Sequence, residues 1–149
     1  MTLIERLNND LKDALRAKDE MRKLVLRGLL ASVKNAQVDH RDREMTDEDV
    51  VALVQKEIKS LRETVVDAEK ADRPEMAAEA LARIEILNQY LPQQLTDSEL
   101  EALVREVMAR VGASDLKQQG LVMKELMPLV KGRADGKAVS AMVARLLKP

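Results

Sequence analysis

Apolar residues recur at intervals of three and four along nearly the whole chain, which is the spacing of one face of an α-helix. Leu3, Leu7, Leu11 and Leu15 begin the pattern. Alternating apolar and polar runs, which would indicate strands, are missing. Only 1% of the residues are aromatic, so the core must consist of Leu, Val, Ala and Met, which suit helix-on-helix packing. The sequence therefore predicts an all-α fold.

Helix start and stop signals divide this pattern into seven helices. Two threonine–glutamate pairs, Thr2 with Glu5 and Thr96 with Glu99, have the spacing of a capping box. The residues predicted to begin helices are Thr2, Asp19, Thr46, Asp72, Thr96, Ser114 or Asp115, and Asp135. Gly112 is predicted to end the fifth helix. Pro128 is predicted to end or kink the sixth helix just before itself.

A domain boundary is predicted at Pro92, Gln93 and Gln94, where a proline stops the fourth helix. Residues 1–92 would form an N-terminal bundle of about four helices. Residues 93–149 would form a small C-terminal domain of three helices.

The composition of the chain limits the cellular compartments in which it is expected. The formal charge is -1, there is no cysteine, and no apolar run approaches the roughly 20 residues needed to cross a bilayer. The first residues have no signal-peptide character. These features favour a cytoplasmic protein without a membrane partner.

No catalytic, metal or cofactor site is predicted. The only histidine, His40, lies in a polar stretch without an evident orienting partner. The acids Asp47, Glu48 and Asp49 suit the first turn of a helix better than an ion site, because consecutive helical residues point in different directions. Gly132 and Gly136 do not have the spacing of a phosphate-binding loop.

Basic residues are concentrated near the C-terminus. From Leu116 onward there are seven Lys and Arg against two acids, a surplus of five positive charges. This surplus indicates contact with a phosphate backbone, and solvated helix faces are the structural alternative. The candidate nucleic-acid-binding residues are Lys117, Lys124, Lys131, Arg133 and Lys137. Because the chain has one aromatic residue for stacking, a folded RNA fits better than an unstacked strand.

Several segments resemble the YqeY-like proteins of the GatB/YqeY group. They are residues 91–96 (LPQQLT), 111–114 (VGAS), 126–128 (LMP) and above all 131–137 (KGRADGK), together with the opening residues 3–7 (LIERL). Gln118, Gln119 and Lys124 depart from the pattern of the group. The resemblance implies a helical bundle followed by a three-helix domain similar to the tail of the B subunit of glutamine-dependent aspartyl/glutamyl-tRNA amidotransferases. That tail helps to hold the outer corner of tRNA, so the implied partner is tRNA or a tRNA-dependent enzyme complex.

Residues 131–137 also have a direct physical interpretation. Gly132 and Gly136 would permit a tight path between two helices, and Asp135 would cap the last helix. Lys131, Arg133 and Lys137 would then point to solvent. The alternative is a purely structural corner between helices.

Three functional hypotheses follow. The first is a non-catalytic module that associates with tRNA. The second, by family association, is an amidotransferase-related carbon–nitrogen ligase with glutamine as the amido donor. The third is a bundle that binds another protein through an exposed helix face, with Leu26 or Val66 as contacts.

Overall fold

A computed structural model describes residues 1–148 and shows seven α-helices and one short 3₁₀ turn, without a strand in that range. The helices are α1 (Leu3–Ala17), α2 (Glu20–Asp39), α3 (Asp47–Lys70), α4 (Pro74–Asn88), α5 (Asp97–Val111), α6 (Gln119–Val130) and α7 (Gly136–Leu147), and the 3₁₀ turn is Leu116–Gln118. The prediction of an all-α fold is confirmed.

Side-chain caps set most helix starts. The hydroxyl oxygens of Thr2, Thr46 and Thr96 each accept a hydrogen bond from the backbone N–H three residues later, and an acid at that position bonds back to the threonine N–H. Asp19 accepts from the N–H of Arg22 at the start of α2. Gly112 ends α5 in the left-handed conformation, with φ of 70°. These caps satisfy amide groups that a helix start leaves without partners.

The predicted start of α4 is wrong, and of the two effects predicted for Pro128 the structure excludes an end of the helix just before it. Asp72 does not cap α4; it has φ of 54° and lies in the turn after α3, a conformation that aspartate tolerates better than most residues. Arg73 precedes α4 instead, without a side-chain cap, and Pro74 occupies the first helical position. Pro128 does not end α6, which continues to Val130. Since Pro128 lies near the C-terminal end of α6, little helix remains to be disturbed by its missing N–H.

The chain divides into two compact units, Met1–Leu91 and the segment from Pro92 onward. In the first unit α3 packs most extensively against α4, and α1 packs against α2. Its core is aliphatic apart from one tyrosine, and its buried members include Leu7, Leu26, Leu29, Val33, Val54, Ile58, Ile84, Leu87 and Tyr90. That residues 1–92 and 93–149 are independent domains stays a prediction.

The second unit has its own apolar core, where α5, α6 and α7 meet. Each helix contributes three fully buried side chains, namely Leu100, Val104 and Val107 from α5, Val122, Leu126 and Val130 from α6, and Val139, Val143 and Leu147 from α7. This core orients α6 and α7, which contain Lys124 and Lys137, while Lys117, Lys131 and Arg133 lie in the segments that adjoin α6.

A polar cluster around the buried Tyr90 joins α1 and α2 to the residues after α4. Tyr90 is only 2% exposed, and its hydroxyl donates a 2.6 Å hydrogen bond to Asp10 Oδ2. The guanidinium of Arg6 lies 4.7 Å from the centre of the Tyr90 ring and donates to the carbonyl of Gln89 at 3.0 Å. Arg22 lies 3.8 Å from the other carboxylate oxygen of Asp10. The single aromatic side chain is therefore a structural element of the first unit.

The structure also corrects the proposed protein contacts. Leu26 was predicted to be exposed, but it is completely buried in the first core. Leu24, two residues earlier in α2, is 55% exposed. Val66 is exposed as predicted, at 47%.

Candidate nucleic-acid interface

Three of the five predicted basic residues follow the axis of α6. Lys117 lies in the 3₁₀ turn before α6, Lys124 near its middle, and Lys131 directly after its last residue. Successive lysines are seven residues apart. Seven residues of an ideal α-helix fall only about 20° short of two full turns, so this spacing favours one side of α6, with Lys117 and Lys131 just outside its two ends. We call Lys117, Lys124 and Lys131 the α6 basic face.

The α6 basic face points away from the core of the second unit. Val122, Leu126 and Val130 form the buried side of α6, whereas all three lysines are exposed. Counting about 100° per residue places Lys124 almost opposite Val122. The neighbouring outward positions are Leu121 and Pro128, which are also exposed.

Carboxylates are scarce around this face. Between Asp115 and Asp135 the only acid is Glu125. Glu125 follows Lys124 directly, so helix geometry turns its side chain about 100° away from that of Lys124. Along the sequence from Lys117 to Lys131, three lysines therefore accompany a single acid.

The loop after α6 is fastened to the start of the second unit. Gly132 is buried with φ of 78°, a conformation that favours glycine, and its carbonyl accepts a 2.7 Å hydrogen bond from Gln94 Nε2. The N–H of Leu95 donates to the carbonyl of Arg133 at 2.9 Å. The residues 131–137 thus form a structural corner, in addition to any role of their charges.

Arg133 takes part in this corner. Its Nε donates to the carbonyl of Gln93 at 3.3 Å, and its side chain is partly buried. Nearby, the pKa of Glu99 is lowered chiefly by hydrogen bonds from Thr96, with a smaller electrostatic effect from Arg133. Arg133 is therefore already engaged on one side of its guanidinium.

Lys137 and Asp135 lie at the start of α7. Asp135 occupies the N-cap position, but its side chain makes no capping hydrogen bond, contrary to the predicted role. Gly136 is the first helical residue, and Lys137 follows it in a first turn that carries no acid. A cation at the positive end of the helix dipole is unfavourable by about 0.3–1 kcal/mol. The position of Lys137 therefore has no stabilising explanation within α7.

A shallow groove of about 390 Å³ lies between α5 and α7. It is lined by Asp97, Ser98, Glu101, Ala138, Ala141, Met142 and Arg145. Arg145 lies 4.0 Å from Glu101, which also binds Arg105 at 2.9 Å. The charges of this groove thus largely compensate one another, in contrast to those of the α6 basic face.

Residues 1–148 show neither a metal-binding cluster nor a membrane-spanning helix. No group of three or more His, Asp or Glu side chains there is arranged to hold a metal ion. Within the same range, every helix is too short or too polar to cross a bilayer. His40 is an exposed residue at the C-terminal end of α2.

The fold and its surface define an all-helical protein with a basic face on its second unit. The chain belongs to the family of Yqey-like proteins, which matches residues 4–147. This match spans nearly the whole chain, and it confirms the resemblance seen in the sequence.

Curated relatives share the name "Altered inheritance of mitochondria protein 41, mitochondrial". The relative from Lachancea thermotolerans is 28% identical over 147 residues, covering 94% of this chain and 76% of the relative. That from Pyrenophora tritici-repentis is 29% identical over 149 residues, covering 97% of this chain and 81% of the relative. That from Vanderwaltozyma polyspora is 25% identical over 118 residues, covering 74% of this chain and 63% of the relative.

These names contradict the predicted cytoplasmic location, because the relatives are named as mitochondrial proteins. The prediction rested on a nearly neutral charge, the absence of cysteine, the lack of a long apolar run and the lack of signal-peptide character in the first residues. The first three features suit any reducing aqueous compartment, so they could not identify one.

Proposed function

We propose that this chain is a non-catalytic helical module that contacts folded tRNA through the α6 basic face, with Lys137 as a further contact. The observation that carries the proposal is the alignment of Lys117, Lys124 and Lys131 on the outward side of α6. Lysines on a solvated helix are ordinarily interspersed with acids, which stabilise the helix as ion pairs. Here Glu125 is the only acid between Lys117 and Lys131 in the sequence.

The spacing of the lysines suits an extended anionic surface. Seven residues of helix rise about 10 Å, so the three lysines span about 20 Å along α6. A small anion would touch one of them at a time, whereas a nucleic-acid backbone offers phosphates along the whole length. Each phosphate contact releases counterions, so binding should weaken steeply as salt increases.

The burial of Tyr90 favours folded RNA over an unstacked single strand as the partner. Binding of single strands depends on aromatic side chains that stack on bases. Tyr90 is the only aromatic residue of the chain, and it is buried with its hydroxyl bound to Asp10. Contacts to the shape and phosphates of a folded RNA require no such platform.

Filter binding of folded tRNA at low and high salt tests the proposal. The variant replaces Lys117, Lys124 and Lys131 by Gln, and the matched control replaces Lys12, Lys56 and Lys59, which are exposed lysines of the first unit. We expect the first variant to lose most binding and the salt slope to fall by about 1 for each phosphate-contacting lysine removed. The control should bind like the original chain.

Three results would contradict the proposal. One is the absence of tRNA binding by the original chain at low salt. Another is an equal loss of binding in the variant and the control, which would indicate a diffuse charge effect. The third is amide transfer from glutamine to misacylated tRNA by the purified chain, since the proposal assigns no bond-making chemistry to it.

A further inference from the structure

Helix α2 is apolar on two opposite sides. Its inward side carries Leu26, Leu29 and Val33, all buried in the core of the first unit. Its opposite side carries Leu24 and Val38, which are 55% and 53% exposed. Exposed helix faces are usually charged, and a helix that is apolar all round is usually covered all round.

The exposed residues opposite the core side of α2 form a seam of small and apolar residues that one polar residue, Asn35, interrupts. Leu24, Gly28, Ala31, Asn35 and Val38 are all exposed and are separated by steps of four, three, four and three residues. We call these five residues the outer face of α2. Such spacing keeps them on one side of the helix over about 21 Å, the length of nearly four turns. The outer face therefore has the dimensions of a helix-packing surface.

Gly28 gives independent support, because the fold itself does not require it. A β-carbon added at Gly28 would meet no atom within 4 Å, and the residue lies inside a helix without a positive φ. Glycine within a helix is less favourable than alanine. What Gly28 does provide, together with Ala31, is a shallow place where a second helix could approach closely.

The charges beside the outer face are basic. Arg27 and Lys34 border it on one side, seven residues apart. Between Glu20 and Asp39 the helix carries no carboxylate at all. A partner that places acids along this border would gain favourable electrostatic contacts, as in the pairing of helices by their flanking charges.

We propose that the outer face of α2 binds one amphipathic helix of another protein, whose apolar stripe is bordered on one side by Asp and Glu. The apolar stripe packs on Leu24, Ala31 and Val38, and Gly28 admits a larger side chain of the partner. The acids lie along Arg27 and Lys34. This surface belongs to the first unit and shares no residue with the α6 basic face.

A second copy of this chain fits the outer face less well. In an antiparallel pair of α2 helices related by a two-fold axis, the basic border of one copy lies against the basic border of the other copy. Arg27 of one copy would then lie along Lys34 of the other, and like charges would oppose each other. In a parallel pair, the carboxylate that one copy could place beside the basic border of the other copy is that of Asp39, at one end of the seam.

Two synthetic helical peptides of about 18 residues, long enough to cover the seam, test the proposal. Both carry Leu and Ala along one stripe, and they differ only in having Glu or Lys along one border. Binding to the full chain is followed by fluorescence anisotropy. We expect the Glu peptide to bind and the Lys peptide to bind weakly or not at all.

Variants then locate the surface. Ala31→Glu places a carboxylate in the centre of the seam and should weaken binding of the Glu peptide by about tenfold or more, because the apolar stripe of the peptide would cover a charge and the new carboxylate would compete with the peptide for Arg27 and Lys34. Ala52→Glu, at an exposed position of α3, is the matched control and should leave binding unchanged. Replacing Arg27 and Lys34 together by Glu should reverse the preference between the two peptides. Circular dichroism verifies that each variant remains helical.

Several outcomes would overturn the proposal. They are the absence of binding by either peptide, equal binding of both, and equal effects of Ala31→Glu and Ala52→Glu. A dimer seen by sedimentation that Ala31→Glu dissociates would also overturn it, because the occupant would then be a second copy of the chain. Loss of tRNA binding has no bearing on any of these results.

Discussion

Tyr90 and Asp10 are 80 residues apart in the sequence, yet the tyrosine hydroxyl donates a 2.6 Å hydrogen bond to the aspartate. The bond joins α1 to the turn that follows α4, and so connects the beginning and the end of the first unit. Arg6 covers the face of the same ring and Arg22 approaches the same carboxylate. The one aromatic residue of the chain thus closes the helical bundle.

Tyr90→Phe should destabilise the first unit. The substitution keeps the ring under Arg6 but removes the hydroxyl, so Asp10 loses its shortest hydrogen bond. A hydrogen bond to a charged group contributes about 1.5–3 kcal/mol to the free energy of unfolding. Urea denaturation should show a loss of that order. Tyr90→Leu, which also removes the ring, should cost more, and an unchanged midpoint for Tyr90→Phe would mean that the bond contributes nothing.

Stability should also fall at alkaline pH because of Tyr90. Burial, and then the hydrogen bond to Asp10, raise the pKa of Tyr90 from 10.0 to about 12. A raised pKa means that the folded state holds the proton more tightly than the unfolded state. The resulting stabilisation is complete below pH 10.0 and is lost as the pH approaches about 12.

Absorbance titration can measure this pKa directly, because Tyr90 is the only tyrosine and there is no tryptophan. We expect tyrosinate to form near pH 12 in the folded chain and near pH 10.0 in urea. In Tyr90→Phe the alkaline loss of stability should become shallower. The same titration midpoint in the folded and urea-unfolded chain would refute the burial argument.

At the acid end, Asp49 should dominate the loss of stability at the start of α3. A hydrogen bond from Arg43 at 2.6 Å, together with those from the N–H and hydroxyl of Thr46, lowers its pKa well below the ordinary value of 3.8. A lowered pKa stabilises the fold above pH 3.8, and this contribution disappears as the pH falls further. Asp49→Asn should therefore lower Tm at neutral pH and flatten the decline of Tm in acid. Glu57→Gln, an exposed change in the same helix, should do neither. If Tm declined equally steeply at acid pH in both variants, the result would argue against the role of Asp49.

The two glycines of residues 131–137 should respond differently to alanine. Gly132 has φ of 78°, where an L side chain costs roughly 1–2 kcal/mol. Gly136 is the first residue of α7 and has open space around its α-carbon. Gly132→Ala should therefore lower the free energy of unfolding, whereas Gly136→Ala should leave it unchanged or raise it slightly. Equal effects in thermal unfolding would show that the corner does not depend on the conformation of Gly132.

Sequence periodicity predicted the helices well but their faces less well. Steps of four residues advance about 40° beyond a full turn, so a stripe drawn from Leu3 to Leu15 drifts around the helix. The structure accordingly buries Ala14 and leaves Leu15 exposed. In α2 both Leu24 and Leu26 are leucine, and only packing against the other helices determines that Leu26 is the buried one.

The candidate interface likewise has one part that the sequence predicts and one part that it does not. The regular spacing of Lys117, Lys124 and Lys131 is visible in the sequence, and a helix is enough to bring them to one side. The engagement of Arg133 with Gln93 is not visible, because the two residues are 40 positions apart and meet only through the corner. Pairings over such distances depend on the folded path of the chain, which local patterns do not contain.

The link between Gln94 and Gly132 has a consequence for synthesis on the ribosome. The two residues are 38 positions apart, so Gln94 leaves the ribosome long before its acceptor carbonyl exists. Every helix of the first unit precedes Gln94 in the chain and can assemble while translation continues. The second unit cannot anchor its first residues until the corner before α7 has emerged, so its folding belongs to the last stage of translation.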